Sequence, residues 1–125
     1  MPGSPGKSDS PHRLFVYGSL CGSGPHARPH RLLRPARWLG PATASGERVP
    51  AGRYPGARPH PCKRLHGQLY QLLAPRRSLY RLDRYEDCRP GNPRYGRYSR
   101  QRVPVEVGQQ TVWAWVYWFR GPRSR

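Results

Sequence analysis

Residues 112–119 read Val-Trp-Ala-Trp-Val-Tyr-Trp-Phe, an apolar or aromatic side chain at every position. Side chains of a strand alternate between its two faces. A strand of this composition has no face that can be left in water, so it must be central or covered on both sides. Just before it, Val103, Val105 and Val107 alternate with Pro104 and Glu106. Gly108-Gln109-Gln110 then supplies a short hairpin loop between the two strands.

The rest of the chain supplies the cover. Leu14 to Tyr17 reads as a short buried strand that breaks at Gly18-Ser19. Cys21 to Pro35 reads as a loop with a brief helical turn around His30 to Arg34. Trp38-Leu39 is followed by a turn signal, Gly40-Pro41, and Ala42 to Gly46 continues as a second strand. Glu47 to Lys63, dominated by Gly, Pro and Arg, reads as loop. Leu65 to Leu72 reads as a strand. Pro75 is suited to open a helix, because the first turn does not need its missing N–H. That helix runs to about Tyr85, with Leu79 and Leu82 marking its buried stripe, and Pro90-Gly91-Asn92-Pro93 stops any continuation. The expectation is an α+β domain with a small mixed or antiparallel, barrel-like sheet and one main helix. Residues 1–12 read as a disordered tail, 13–120 as the domain and 121–125 as a frayed basic tail.

A chain of 125 residues allows one domain with one modest core. Its formal charge is +17, and of 23 basic residues only Lys7 and Lys63 are lysines. Such a charge draws polyanions, so nucleic acid is one partner to consider. Cys21, Cys62 and Cys88 are odd in number and form no CxxC pair, which argues against a disulfide framework. The opening residues lack the apolar stretch of a signal peptide, and no apolar run reaches membrane-spanning length. The expected setting is cytoplasmic, with no membrane partner.

Three of the six acidic residues fall close together, at Asp83, Glu86 and Asp87. They could solvate the helix end and pair with Arg81, Arg84 and Arg89. Helical spacing gives Glu86 a second reading. It follows Leu82 by four and Leu79 by seven, which puts it on the buried face, with Asp83 on or near that face. Desolvation raises a carboxyl pKa, and a glutamate shifted in this way suits proton transfer near neutral pH.

Other constellations are thinner. His26 and His30 are separated by Pro29 and lack further ligands, and His60 and Cys62 sit in a Pro-rich loop, so no metal is expected. Ser19 lacks a nucleophile elbow, Cys21 has no assignable partner, and no cofactor motif is present. Trp113, Trp115 and Trp118 read as sheet and core residues. Trp113 and Trp115 share a face that could also stack bases.

Seven short motifs occur in an order that resembles the gamma-glutamylcyclotransferase-like family. They are Leu14-Phe15-Val16-Tyr17-Gly18-Ser19-Leu20, Trp38-Leu39-Gly40-Pro41-Ala42, Gly52-Arg53-Tyr54-Pro55, Gly67-Gln68-Leu69-Tyr70, Leu82-Asp83-Arg84-Tyr85-Glu86, Tyr98-Ser99-Arg100 with Val103 and Val105, and Ala114-Trp115-Val116-Tyr117. The resemblance spans about Arg13 to Arg120. It implies a barrel-like α+β domain and a reaction on a small gamma-glutamyl substrate. In that reaction the substrate's α-amine attacks its own γ-carbonyl, giving 5-oxoproline and a free amine. By the same resemblance, Glu86 is the general acid/base. Backbone N–H groups around Gly18, Ser19 and Leu20 hold an anionic group of the substrate, and Tyr17 and Tyr98 line the pocket. Asp87 stands where the family often has glycine. The rival is a basic binding module of the same fold, without turnover, with a nucleic-acid or other polyanionic partner.

Overall fold

The computed structural model describes residues 12–17, 31–51, 54–85 and 97–120. Five strands and one helix follow in the order β1 (Arg13–Val16), β2 (Ala36–Ala51), β3 (Tyr54–Leu72), α1 (Pro75–Tyr85), β4 (Tyr98–Val107) and β5 (Gln110–Phe119). The strands close on themselves in the order β1-β3-β2-β4-β5. All neighbours are antiparallel except β1 and β5, a parallel contact through Leu14 and Trp115. This is the expected sheet of mainly antiparallel strands with one helix.

Alternation along the strands divides the apolar residues into two clusters. One draws on all five strands: Phe15, Ala42, Ala44, Leu65, Leu69, Val105, Ala114, Val116 and Trp118 among them. These side chains fill the inside of the ring, where four alanines, including Ala57, leave room for Phe15 and Trp118. The other cluster lies outside the ring under α1 and joins Leu14, Val16, Leu33, Tyr70, Leu72 and Tyr117 to Leu79 and Leu82. Most of the apolar run at 112–119 is thereby explained: Val112, Ala114, Val116 and Trp118 belong to the ring cluster, while Trp115 and Tyr117 belong to the outer one. Burying Leu79 and Leu82 contributes about 1.5–3 kcal/mol each toward holding α1 in place.

Gly67 is required where the end of β1 runs beside β3. A Cβ there would lie 2.2 Å from the Val16 carbonyl oxygen and 2.8 Å from Phe15 Cζ. The close approach sits directly before Tyr17, the last described residue of its segment.

Two sequence expectations need correction. Gly40-Pro41, read as a turn signal, is not a turn. β2 runs through it with a register shift between Trp38 and Gly40, and Gly40 takes up the bulge at φ 136°. Of the segment Glu47 to Lys63, the described residues 47–51 and 54–63 are not loop but belong to the strands of the distal β2–β3 hairpin, with Pro50 opposite Pro55. Proline supplies no N–H but its φ is already near that of extended chain, so a Pro-rich segment can run as strand where few ladder bonds are required. Ser45 pairs with Arg64 and Gly46 with Pro59. Residues 60–63 are therefore left out of the ladder and turn on His60, whose Nδ1 accepts from the N–H groups of Cys62 and Lys63 at 3.0 and 3.1 Å.

Candidate functional site

Of the residues that the family resemblance places at the site, Tyr17 and Tyr98 are described. Gly18, Ser19, Leu20 and Glu86 lie outside the described residues, as does Asp87. The described residues form the frame to which those segments are attached.

Tyr17 follows β1 and packs into the cluster inside the ring. Its hydroxyl donates to the backbone carbonyl of Tyr117 at 2.6 Å, across 100 residues of sequence. Tyr17 also lines a cleft of about 410 Å³ with Pro41, Ala42, Gly67, Gln68 and Glu106 among its walls. Tyr98 opens β4 opposite Phe119, meets that ring edge-on at a centroid distance of 5.5 Å, and packs against the outer cluster. The two tyrosines thus belong to different layers.

Asp83 occupies the last turn of α1. Its carboxylate accepts three hydrogen bonds: from Arg100 Nε at 2.8 Å, from Arg100 Nη2 at 3.0 Å, and from the Tyr117 hydroxyl at 2.6 Å. The two charged side chains are only 13% and 16% exposed. Fork-to-fork pairing of this kind fixes direction as well as distance. The expectation that Asp83 pairs with helix neighbours is therefore replaced by a bond to β4.

Tyr117 joins the segments that carry the candidate residues. Its carbonyl holds Tyr17, which precedes Gly18-Ser19-Leu20. Its hydroxyl holds Asp83, three residues before Glu86. Arg100 and Tyr117 face each other across β4 and β5, so one rung of the ladder supplies all three donors to the carboxylate. Sequence reasoning quoted both residues within motifs but gave neither a role. A strand arginine facing a helix carboxylate is a tertiary contact that no local spacing reveals.

Around this rung the charges are arranged on aromatic rings. The Arg100 and Arg102 guanidinium groups lie 4.3 and 4.8 Å from the Trp115 ring centroid, within cation–π range. Trp115 Nε1 donates to His12 Nδ1 at 3.1 Å, and Arg102 Nη2 lies 3.2 Å from the same atom. With two donors aimed at it, Nδ1 is the acceptor and the ring is the neutral Nε2–H tautomer. Burial first, then the charges of Arg102 and Arg100, lower the His12 pKa from 6.5. Burial and Arg100 likewise lower Arg102. Trp115 is therefore a packing platform for arginines. Among the described residues no three His, Cys, Asp or Glu side chains gather as metal ligands, and no helix is long and apolar enough to cross a membrane.

The chain belongs to the gamma-glutamyl cyclotransferase, AIG2-like family, whose model matches residues 14–125. No curated protein matches it. Solved structures share the fold. The crystal structure of YkqA from Bacillus subtilis superposes with a TM-score of 0.64 at 23% identity, over 88% of this chain and 36% of that one. This chain thus spans about a third of YkqA's length. An uncharacterised protein from Pyrococcus horikoshii gives a TM-score of 0.57 at 22% identity, covering 90% and 82% of the two chains. A structure named gamma-glutamyl cyclotransferase gives 0.58 at 14% identity, covering 89% and 68%.

Proposed function

We propose that this protein is a gamma-glutamyl cyclotransferase acting on a small gamma-glutamyl amine or amide, with Glu86 as general acid/base. The substrate's α-amine attacks its own γ-carbonyl carbon, a tetrahedral intermediate forms, and the C–N bond to the leaving amine breaks. A five-membered lactam, 5-oxoproline, and a free amine result, and no water is consumed. Nucleophile and electrophile share one molecule, so the main task of the protein is to hold the folded conformer. One carboxylate can take the proton from the attacking amine and return it to the departing one. N–H groups of the Gly18-Ser19-Leu20 turn are the donors for the negative charge on the substrate, with Tyr17 and Tyr98 at the pocket.

The observation that carries this reading is the family match over residues 14–125. The Tyr117 bridge supports it, because it ties the segment before the proposed anion-binding turn to the helix turn before the proposed base. The test is isotopic. In ¹⁸O-labelled water, intramolecular aminolysis yields 5-oxoproline without label. Labelled glutamate as the primary product would indicate hydrolysis and exclude the proposal.

A further inference from the structure

The outward face of α1 carries a cluster of arginines. Leu79 and Leu82 face the sheet, which turns Arg76, Arg77, Tyr80 and Arg84 toward the opposite side at helical spacing, with half-buried Arg81 at the flank. Arg76, Tyr80 and Arg84 follow one another at four-residue steps and span about 12 Å along the helix. The turn at residues 31–34 lies against the same helix: Arg81 Nη2 donates to the Arg34 carbonyl at 2.6 Å. That turn adds the exposed Arg31.

Two further observations bear on what covers this face. First, the described acids are engaged elsewhere. Glu47 is held by His60 and Lys63, Glu106 by Arg64, and Asp83 by Arg100. Glu86 and Asp87 follow the helix in sequence. Set against Arg31, Arg76, Arg77, Arg81 and Arg84, they still leave a net charge of +3. Secondly, the large hydrophobic side chains exposed among the described residues are Leu73, Tyr80 and Tyr85, at 52%, 64% and 49%. All three lie on α1 or just before it. Arg84 sits over the Tyr80 ring at 5.8 Å and donates to its hydroxyl at 3.2 Å, and the aromatic side chain stays exposed. Trp115, the other candidate for stacking, is half-buried, carries two closer guanidinium groups at 4.3 and 4.8 Å, and stacks on the His12 ring.

We infer that this face binds single-stranded nucleic acid, with Arg31, Arg76, Arg77, Arg81 and Arg84 on phosphates and Tyr80 as a base-stacking platform. The chemistry is that of a cationic track carrying an aromatic side chain. An unpaired strand is favoured over a duplex because a stacked aromatic needs an open base face. The inference is independent of the cyclotransferase reading.

The experiment is fluorescence anisotropy of labelled oligo(dT) with the full chain over a range of KCl concentrations. Five phosphate contacts on a single strand predict a log–log salt slope of about −3.5. Arg76→Gln with Arg77→Gln should move the slope to about −2 and weaken binding about tenfold near 0.15 M salt. Tyr80→Ala should weaken it at least about fivefold. Arg48→Gln with Lys63→Gln removes the same charge from the β2–β3 hairpin and should cost clearly less. Unchanged melting temperatures show that the variants are folded. The inference is overturned if the hairpin pair weakens binding as much as the helix pair, or if duplex DNA of equal length binds as tightly. It is also overturned if phosphatidylserine vesicles bind while oligo(dT) does not.

Discussion

Replacing Asp83 by Asn tests how α1 is fixed to the sheet. The side chain keeps its size but loses its charge, and one of its oxygens becomes an N–H₂ group. That group would face an Arg100 N–H in either orientation, and the Tyr117 hydroxyl as well where it replaces Oδ1, all of them donors at 2.6–3.0 Å. At least one bond to a charged acceptor is lost, worth about 1.5–3 kcal/mol. Arg100 also loses its counter-charge where it is 16% exposed, and breaking a fully buried pair costs about 3–5 kcal/mol. Some exposure remains on both sides, so the expected loss is about 3 kcal/mol. For a domain of this size that is roughly 12 °C in Tm, at about 4 °C per kcal/mol. Urea denaturation and a thermal melt give both figures, and the cycle with Arg100→Gln isolates the pair. If Glu86 is the base, the same change lowers kcat more than it raises KM, because Asp83 positions the helix turn leading to Glu86. A loss below about 1 kcal/mol, the value of an exposed ion pair, would refute the reasoning.

Gly67→Ala forces a Cβ to within 2.2 Å of the Val16 carbonyl. It should cost at least about 3 kcal/mol, the upper end for overpacking, measurable as a drop in the urea midpoint. Tyr17→Phe removes the donor to the Tyr117 carbonyl, a 2.6 Å buried bond, and should cost about 1–3 kcal/mol in the same assay. His12 gives a pH dependence. Its folded-state pKa lies below the unfolded 6.5, so the unfolded chain binds more protons between the two values. The contribution of neutral His12 is thus present above pH 6.5 and lost as pH falls through the lowered pKa. His12→Gln should therefore flatten the fall in Tm between pH 7.5 and 5, and an unchanged profile would show that His12 is not the titrating group.

The sequence was most informative where burial imposes a period. An apolar run at 112–119 needs cover on both faces: Val112, Ala114, Val116 and Trp118 find it in the ring, Tyr117 in the outer cluster that α1 joins, and Trp115 also under Arg100 and Arg102. Pro75, Leu79 and Leu82 define the helix by its start and its stripe, and the helix runs over Pro75–Tyr85. The distal hairpin was illegible because proline and glycine signal turns by local preference, whereas here pairing with the facing strand decides the conformation. The partner of Asp83 was illegible for a related reason. Arg81 and Arg84 are near in sequence, but Arg100, seventeen residues away, is brought near by the β4–β5 ladder. Helical spacing indicates the face on which a carboxylate lies, not the strand residue that meets it.

The central claim is tested most directly by following 5-oxoproline release from a panel of gamma-glutamyl amino acids, glutathione and gamma-glutamyl-ε-lysine, with Glu86→Gln run alongside. The account predicts release from at least one of them by the wild type, and loss of that release in the variant at an unchanged Tm. Release that survives Glu86→Gln would contradict the assignment of the base, and no release from any of these compounds would contradict the proposed activity.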